Sequence, residues 1–199
     1  MSPEVVSLGE ILVEIMRKDR DVPHNVPGVY LGPYPSGAPA IFIDAAANLG
    51  LKAGFIGIVG EDEFGELLIE RLRRDGVDVS RIRVLKGYTT GTTFVMYYSS
   101  GDRRFIFHLR HSAAGQLSPE DVDEDYIAES RLLHIMGSSL AVSESSRGAC
   151  MKALRAAERS DVTITFDPNL RPELLDVEAI RRICPVSYTH LTLPTKRIV

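Results

Sequence analysis

The stretch FDPNLRPELL, Phe166 to Leu175, places an aspartate, an asparagine and an arginine between two prolines. It follows the β-branched and aromatic run Val162–Phe166, which reads as a buried strand. Pro168 and Pro172 stiffen the segment, so Asp167, Asn169 and Arg171 project from a rigid loop at the strand's carboxyl end. Arg171 there could grip a carboxylate or a phosphate through two parallel hydrogen bonds. The same residues would serve equally well as a structural cap, with Asp167 accepting local N–H groups and Arg171 on the surface. PSGAPAIF, Pro35 to Phe42, poses a similar choice. Gly37 permits close backbone approach at a helix start, which suits an anion or a sugar hydroxyl. A plain turn into an Ala-rich packing helix would look the same. GIVGEDEFG, Gly57 to Gly65, is easier to read. It lacks the Gly-Lys-Ser/Thr ending of a phosphate loop, and Glu61, Asp62 and Glu63 would repel a polyphosphate. It is a strand-to-helix turn whose acidic start suits the helix dipole.

GYTTGTTFVMYYSSGDRRFIFHLRHSAAGQ, Gly87 to Gln116, reads as two strands around the turn Ser99–Asp102. Thr93, Val95 and Tyr97 share one face of the first strand and Phe94, Met96 and Tyr98 the other. In the second, Phe105, Phe107 and Leu109 oppose Arg104, Ile106, His108 and Arg110. Both faces carry apolar residues, and a two-stranded ribbon cannot bury both alone. One face must cover something in this chain, and the other is free to meet a second copy. As a lid over a ligand, the hairpin would hang Arg110 into the covered space. His108 is a further candidate, although a lone histidine is more often structural.

Strands and helices must position these groups. Val5–Leu8, Gly54–Val59, Ile82–Leu85, Leu132–Met136 and Val162–Phe166 read as strands. The chain is expected to stay extended past Gly9, and Asp19–Pro35 reads as a loop with a short strand. Helices are expected over Pro39–Leu49, after the cap Asp62 with core face Phe64, Leu67, Leu68 and Leu72, and after the cap Ser143 with inward stripe Cys150, Ala153, Leu154 and Ala157. Another helical pattern begins at Pro172. The alternation predicts a three-layer α/β domain with a mainly parallel sheet. Ligands bind such sheets at the strands' carboxyl ends, here Gly9–Glu14, Gly57–Gly65, Gly137–Ser139 and Asp167–Arg171. With 199 residues, 44% hydrophobic and 25% charged, the composition is that of an ordinary globular chain. A net charge of -4 with no basic run argues against nucleic-acid binding, and no apolar run could span a membrane. Two cysteines, Cys150 and Cys184, make neither a disulfide framework nor a metal motif, and fit a reducing cytoplasm with no secretory leader.

Taken in order, VVSLGEILVE, SGAPAIFIDAAANLG, FIGIVGEDEFGELLIERLRRDGVDVS, the hairpin, LLHIMGSS and FDPNLRPELL resemble the N-terminal part of a ribokinase-like (PfkB family) sugar kinase over about Val5 to Ile183. The chain is most similar there to 2-keto-3-deoxygluconate-kinase-like and tagatose-kinase-like members. The resemblance implies a three-layer ribokinase-like sandwich with a small β lid, built from about 11–35 and 88–112. It implies ATP and Mg in the full-length protein, phosphorylation of a hydroxyl on a sugar or sugar acid, and a likeness to members that dimerise through the lid. Glu14, Gly37, His108, Arg110, Asn169 and Arg171 are the substrate-binding candidates it points to.

The sequence departs from the family pattern twice. The family's first signature usually reads Gly-Gly and then Asn; here the corresponding positions are Ser36, Gly37 and Ile41. Ile41 cannot hold a sugar hydroxyl, so the substrate lacks one there or another residue binds it. Second, the family's base is an aspartate of a Gly-Ala-Gly-Asp motif, which does not occur in this sequence. No catalytic or nucleotide-binding residue is therefore expected in this chain, which should be an inactive piece ending before the ATP-binding half. Residues 186–199 follow Pro185 without an acidic residue or a clear pattern, and read as a non-native tail. A nucleoside kinase of the same fold and a non-catalytic sugar-binding or dimerising module are the alternatives.

Overall fold

Four consecutive buried residues make up Val5–Leu8, as expected of a parallel strand covered on both faces. The computed structural model describes residues 2–171, 173 and 174. In chain order its elements begin with β1 (Val5–Leu8), β2 (Leu12–Arg17), β3 (Tyr30–Ser36) and α1 (Ala38–Asn48). Next come β4 (Ala53–Gly60), α2 (Glu63–Arg74), β5 (Asp78–Leu85), β6 (Gly91–Tyr97) and β7 (Arg103–His108). After two 3-10 turns follow α3 (Glu124–Ala128), β8 (Leu132–Met136), α4 (Gly137–Val142), α5 (Glu144–Arg159) and β9 (Thr163–Asp167).

The larger sheet runs β5-β4-β1-β8-β9, and every pairing in it is parallel. Successive residues of its strands face opposite layers. Val5, Phe55 and Val59 pack with Ile43 of α1 and with Leu68 and Leu72 of α2. Val6, Leu8, Ile56 and Ile135 pack with Ile127 of α3 and with Cys150, Ala153 and Leu154 of α5. This is the expected three-layer α/β sandwich. The inward stripe of α5 is the one its spacing predicts, and Ser143 caps it by accepting from the Ser146 amide at 3.0 Å. Asp62 caps α2 by accepting from the Gly65 amide at 2.9 Å.

Two expectations change. Phe64 and Leu67 are each 36% exposed, so the buried face of α2 is Gly65, Leu68 and Leu72. Gly65 sets that rotation, because a Cβ on it would stand 2.4 Å from the Gly60 carbonyl oxygen, and only glycine lets the helix seat so close to β4. β5 spans eight residues rather than four, because it follows the length of its partner β4. The helical pattern expected from Pro172 and the segment 186–199 lie outside the described residues, apart from a turn at Glu173 and Leu174.

The smaller sheet runs β3-β2-β6-β7. β2 leaves β1 after three residues and carries the chain into this second sheet, where it pairs antiparallel with β3 and parallel with β6. β6 and β7 form the expected hairpin, in the register Thr93↔Phe107 and Val95↔Phe105. The Asp19–Pro35 region yields more strand than its Pro and Gly content suggests, because β3 pairs along β2 with a bulge between Glu14 and Met16.

Candidate functional site

A cleft of about 100 Å³ lies between the two sheets. The body lines it with Glu10, Gly37, Ala38, Ser138 and Arg171, and the small sheet with Glu14, Thr93, Arg103, Phe105 and Phe107. Three segments at carboxyl ends of the larger sheet converge on it, the loop after β1, the start of α4 after β8 and the loop after β9, as the general rule for α/β sheets requires. Strand parity supplies the lid wall: Glu14, Thr93 and Phe107 stand side by side across β2, β6 and β7, all pointing to the cleft.

Glu10 is the most buried charged group there, at 4% exposure. It accepts from the Ser138 hydroxyl at 2.6 Å and the Ser139 hydroxyl at 2.7 Å. Burial pushes its pKa up, against the pull of the two serines and of the Arg171 charge. Glu14 is also raised by burial, with the Arg103 charge and the Ser36 hydroxyl acting the other way. Gly37 sits at the N-cap of α1 with φ 110°, where a Cβ would come within 2.5 Å of the Glu10 carbonyl oxygen. It therefore lets β1, α1 and the cleft floor meet, and leaves the N-terminus of α1 without a side-chain cap.

Of the residues singled out from sequence, Glu14, Gly37 and Arg171 share this cleft. His108 and Arg110 do not. His108 lies on the outward face of β7, opposite Thr92 in register and edge-on to Phe94 at 5.8 Å. Arg110 lies beyond β7 and donates through Nη2 to the Leu174 carbonyl at 3.3 Å. The reason is parity: with Phe105 and Phe107 turned inward, Leu109 follows them, 2% exposed, and positions 108 and 110 turn away. Asn169 has φ 35°, and its amide donates to Asp167 Oδ1 at 2.9 Å. Its own Oδ1 is buried without a partner among the described residues, and it does not line the cleft. Ile41 does line the cleft and is 55% exposed.

Glu10, Ser138 and Arg103 line the cleft although the sequence did not single them out individually. The first two lie within Gly9–Glu14 and Gly137–Ser139, segments at the strands' carboxyl ends, and α4 begins directly at Gly137. Arg103 was legible from its even spacing with Phe105 and Phe107.

No group of three or more His, Cys, Asp or Glu among the described residues could hold a metal ion. In the Gly57–Gly65 turn the Asp62 carboxylate is already engaged by the Gly65 amide, the Thr90 amide at 2.7 Å and the Thr90 hydroxyl at 2.6 Å.

A parallel three-layer body, a small sheet over the carboxyl ends of its strands and a polar cleft between them define a ribokinase-like fold with a β lid. The chain matches the model of the pfkB family of carbohydrate kinases over residues 2–197, and it belongs to that family. A fructokinase of Solanum tuberosum is 35% identical over 193 residues, 96% of this chain and 60% of that protein. A 2-dehydro-3-deoxygluconokinase of Thermoproteus tenax is 36% identical over 181 residues, 89% of this chain and 54% of that protein. Among solved structures, a provisionally assigned Ribokinase II from E. coli in complex with ATP and Mg2+ superposes with a TM-score of 0.86 at 43% identity, covering 96% of this chain and 60% of that one. The chain thus spans about half to three-fifths of the length of the curated relatives it matches. No helix among the described residues is long and apolar enough to cross a membrane.

Proposed function

We propose that the whole protein transfers a phosphoryl group from ATP to a hydroxyl of a sugar or sugar acid, and that this chain supplies its sugar-binding cleft and lid. The observation that carries this reading is the convergence of Glu14, Gly37 and Arg171 with Glu10 in one cleft between body and lid. Carboxylates accept hydrogen bonds from sugar hydroxyls, and the bare backbone at Gly37 lets a sugar approach the start of α1. ATP and Mg2+, bound in the E. coli structure, are assigned to the whole protein. In phosphoryl transfer the positioning of nucleotide and metal does most of the work, so the 199-residue chain alone should bind sugar with little turnover. The small sheet leaves Leu31 37% and Ile106 42% exposed, which suits a homodimer contact through the lid. The setting we propose is the cytoplasm.

One observation favours a second reading. Phe105 and Phe107 stack at 5.2 Å with rings 17° apart on the cleft wall, a platform that a nucleoside base could use. Calorimetric titration of the chain with fructose, 2-dehydro-3-deoxygluconate and adenosine, followed by addition of MgATP, separates the readings. Binding of a sugar or sugar acid without ADP release is expected. Binding of adenosine alone would replace the sugar reading, and steady ADP production by this chain would refute the assignment of chemistry to the rest of the protein.

A further inference from the structure

The small sheet hangs from the body by the connections between the two sheets, and one of these is held by a carboxylate. β5 of the body ends at Leu85 and β6 of the lid begins at Gly91, so residues 86–90 carry the chain across. Thr90, the last of them, is 3% exposed. Its amide donates to Asp62 Oδ2 at 2.7 Å and its hydroxyl to Asp62 Oδ1 at 2.6 Å, while the hydroxyl oxygen accepts from the Gly60 amide at 2.9 Å. Asp62 belongs to the body, where it caps α2 through the Gly65 amide; its bonds to Thr90 serve no helix cap and cross to the lid. Hydrogen bonds to a carboxylate are the stronger kind. The fit is close, since a Cβ on Gly60 would stand 2.6 Å from the Thr90 nitrogen. The chain returning from β7 meets the same place, because the Ala113 amide donates to the Thr89 carbonyl at 2.8 Å. Both legs of the β6–β7 hairpin are thus tied beside the start of α2. From Thr90 the strand runs on to Thr93, which lines the cleft with Glu14 and Phe107 on either side of it in register.

We propose that Thr90 is a positioning residue for the cleft: clamped on Asp62, it fixes where β6 leaves the body, and so where Thr93, Glu14 and Phe107 stand over the substrate. This rests on reading the cleft as the sugar site. It also gives the Gly57–Gly65 turn, whose acidic sequence does not suit a phosphate, a task at the site: it anchors the lid instead of holding a ligand.

The test compares the 199-residue chain with Thr90→Val, which keeps the shape and loses the hydroxyl, and Thr90→Ser, which keeps the hydroxyl. Gly50→Ala, which strains a turn remote from the clamp, controls for lost stability. Each is read, under conditions where urea melts show it folded, by amide hydrogen exchange and by calorimetry with fructose and with 2-dehydro-3-deoxygluconate. Thr90→Val should speed exchange in β6 and β7 by about tenfold, the size of one hydrogen bond to a charged group, and leave β4 and α5 unchanged. It should weaken binding of the sugar that the native chain takes by about three- to tenfold, while Thr90→Ser and Gly50→Ala stay within about twofold of native on both measures. Exchange that rises equally in lid and body, lid exchange that does not rise, or a sugar affinity that Thr90→Val leaves intact overturns the inference while the sugar site stands. So does a Gly50→Ala variant that matches Thr90→Val on both measures. Should Thr90→Val fail to fold, Asp62→Asn, which keeps one acceptor for Gly65 and loses the other, is read by the same two measures with the same outcomes. If the native chain binds neither sugar, the sugar site itself falls, and the inference with it.

Discussion

Mild acid should destabilise this fold through one residue, His134. It lies on β8 between Ser7 of β1 and Thr165 of β9, and is 7% exposed. Its Nδ1 is 2.8 Å from the Thr165 hydroxyl, its Nε2 has no partner among the described residues, and its ring stacks on Phe42 of α1 at 3.7 Å. Burial pushes its pKa down from 6.5 to about 4, with the Asp167 charge acting weakly the other way. An unfolded chain takes up the proton near the ordinary value, and the folded chain only near the lower one. Between the two, the unfolded state binds more protons, so stability falls as pH drops from about 6.5 to about 4 and levels off below for this group. That gap is worth about 3 kcal/mol, or about 6–12 °C in Tm for a chain of this size. Urea melts followed by circular dichroism between about pH 7.5 and about pH 4.3 measure it directly. Buried Glu10 and Glu14, whose pKa values are raised, gain stability over the same descent. The useful quantity is therefore the difference between the native chain and His134→Gln, which cannot titrate. That difference should shift by about 3 kcal/mol across the window. Parallel stability curves, agreeing within about 0.5 kcal/mol, would refute the argument that a neutral buried imidazole is required.

Two further substitutions test the supports of the cleft. For Asp62 burial raises the pKa, but the bonds from Thr90, Gly65 and Phe64 outweigh it and leave the carboxyl below its usual range. A depressed carboxylate stabilises the fold above its unfolded pKa and loses that contribution as pH falls through the folded one, so Asp62→Ala should cost about 1–3 kcal/mol at about pH 7 and much less near about pH 2.5; an equal cost at both, by urea melts, would contradict this. Gly37→Ala combines a φ of 110° with a Cβ 2.5 Å from the Glu10 carbonyl oxygen, whereas at Gly50, with φ 93°, an added methyl would have nothing within 4 Å. Gly50→Ala should therefore cost about 1 kcal/mol of backbone strain and Gly37→Ala about 2–4 kcal/mol, and equal Tm losses would show that the close approach of α1 to β1 carries no weight.

The body of the fold was legible because its signals are local. The stripe Cys150, Ala153, Leu154 and Ala157, the caps Asp62 and Ser143, and the run Leu132–Met136 each need only their own neighbours to be read. The cleft was half legible. Gly37 and Arg171 lie at element ends, where chain direction alone places them. Glu10 was hidden because the two serines that satisfy its carboxylate lie 128 and 129 residues away, and sequence offers no sign that a charge following a buried strand has partners.

In the hairpin, residue chemistry and strand parity point to different arginines. Arg110 was chosen for its chemistry, although its own strand pattern argued against it. Phe105, Phe107 and Leu109 form the continuous apolar face, and a ribbon lying over a body turns that face inward. Strand residues of the same parity then face the cleft, which brings Arg103 to it, while Arg104, His108 and Arg110 do not line it. Residue type says what a side chain can do once it arrives; in a strand, only parity says whether it arrives. The lid therefore brings the cleft its charge from the far end of β7, beside Phe105, and the arginine nearest the body is left to hold the Leu174 carbonyl instead.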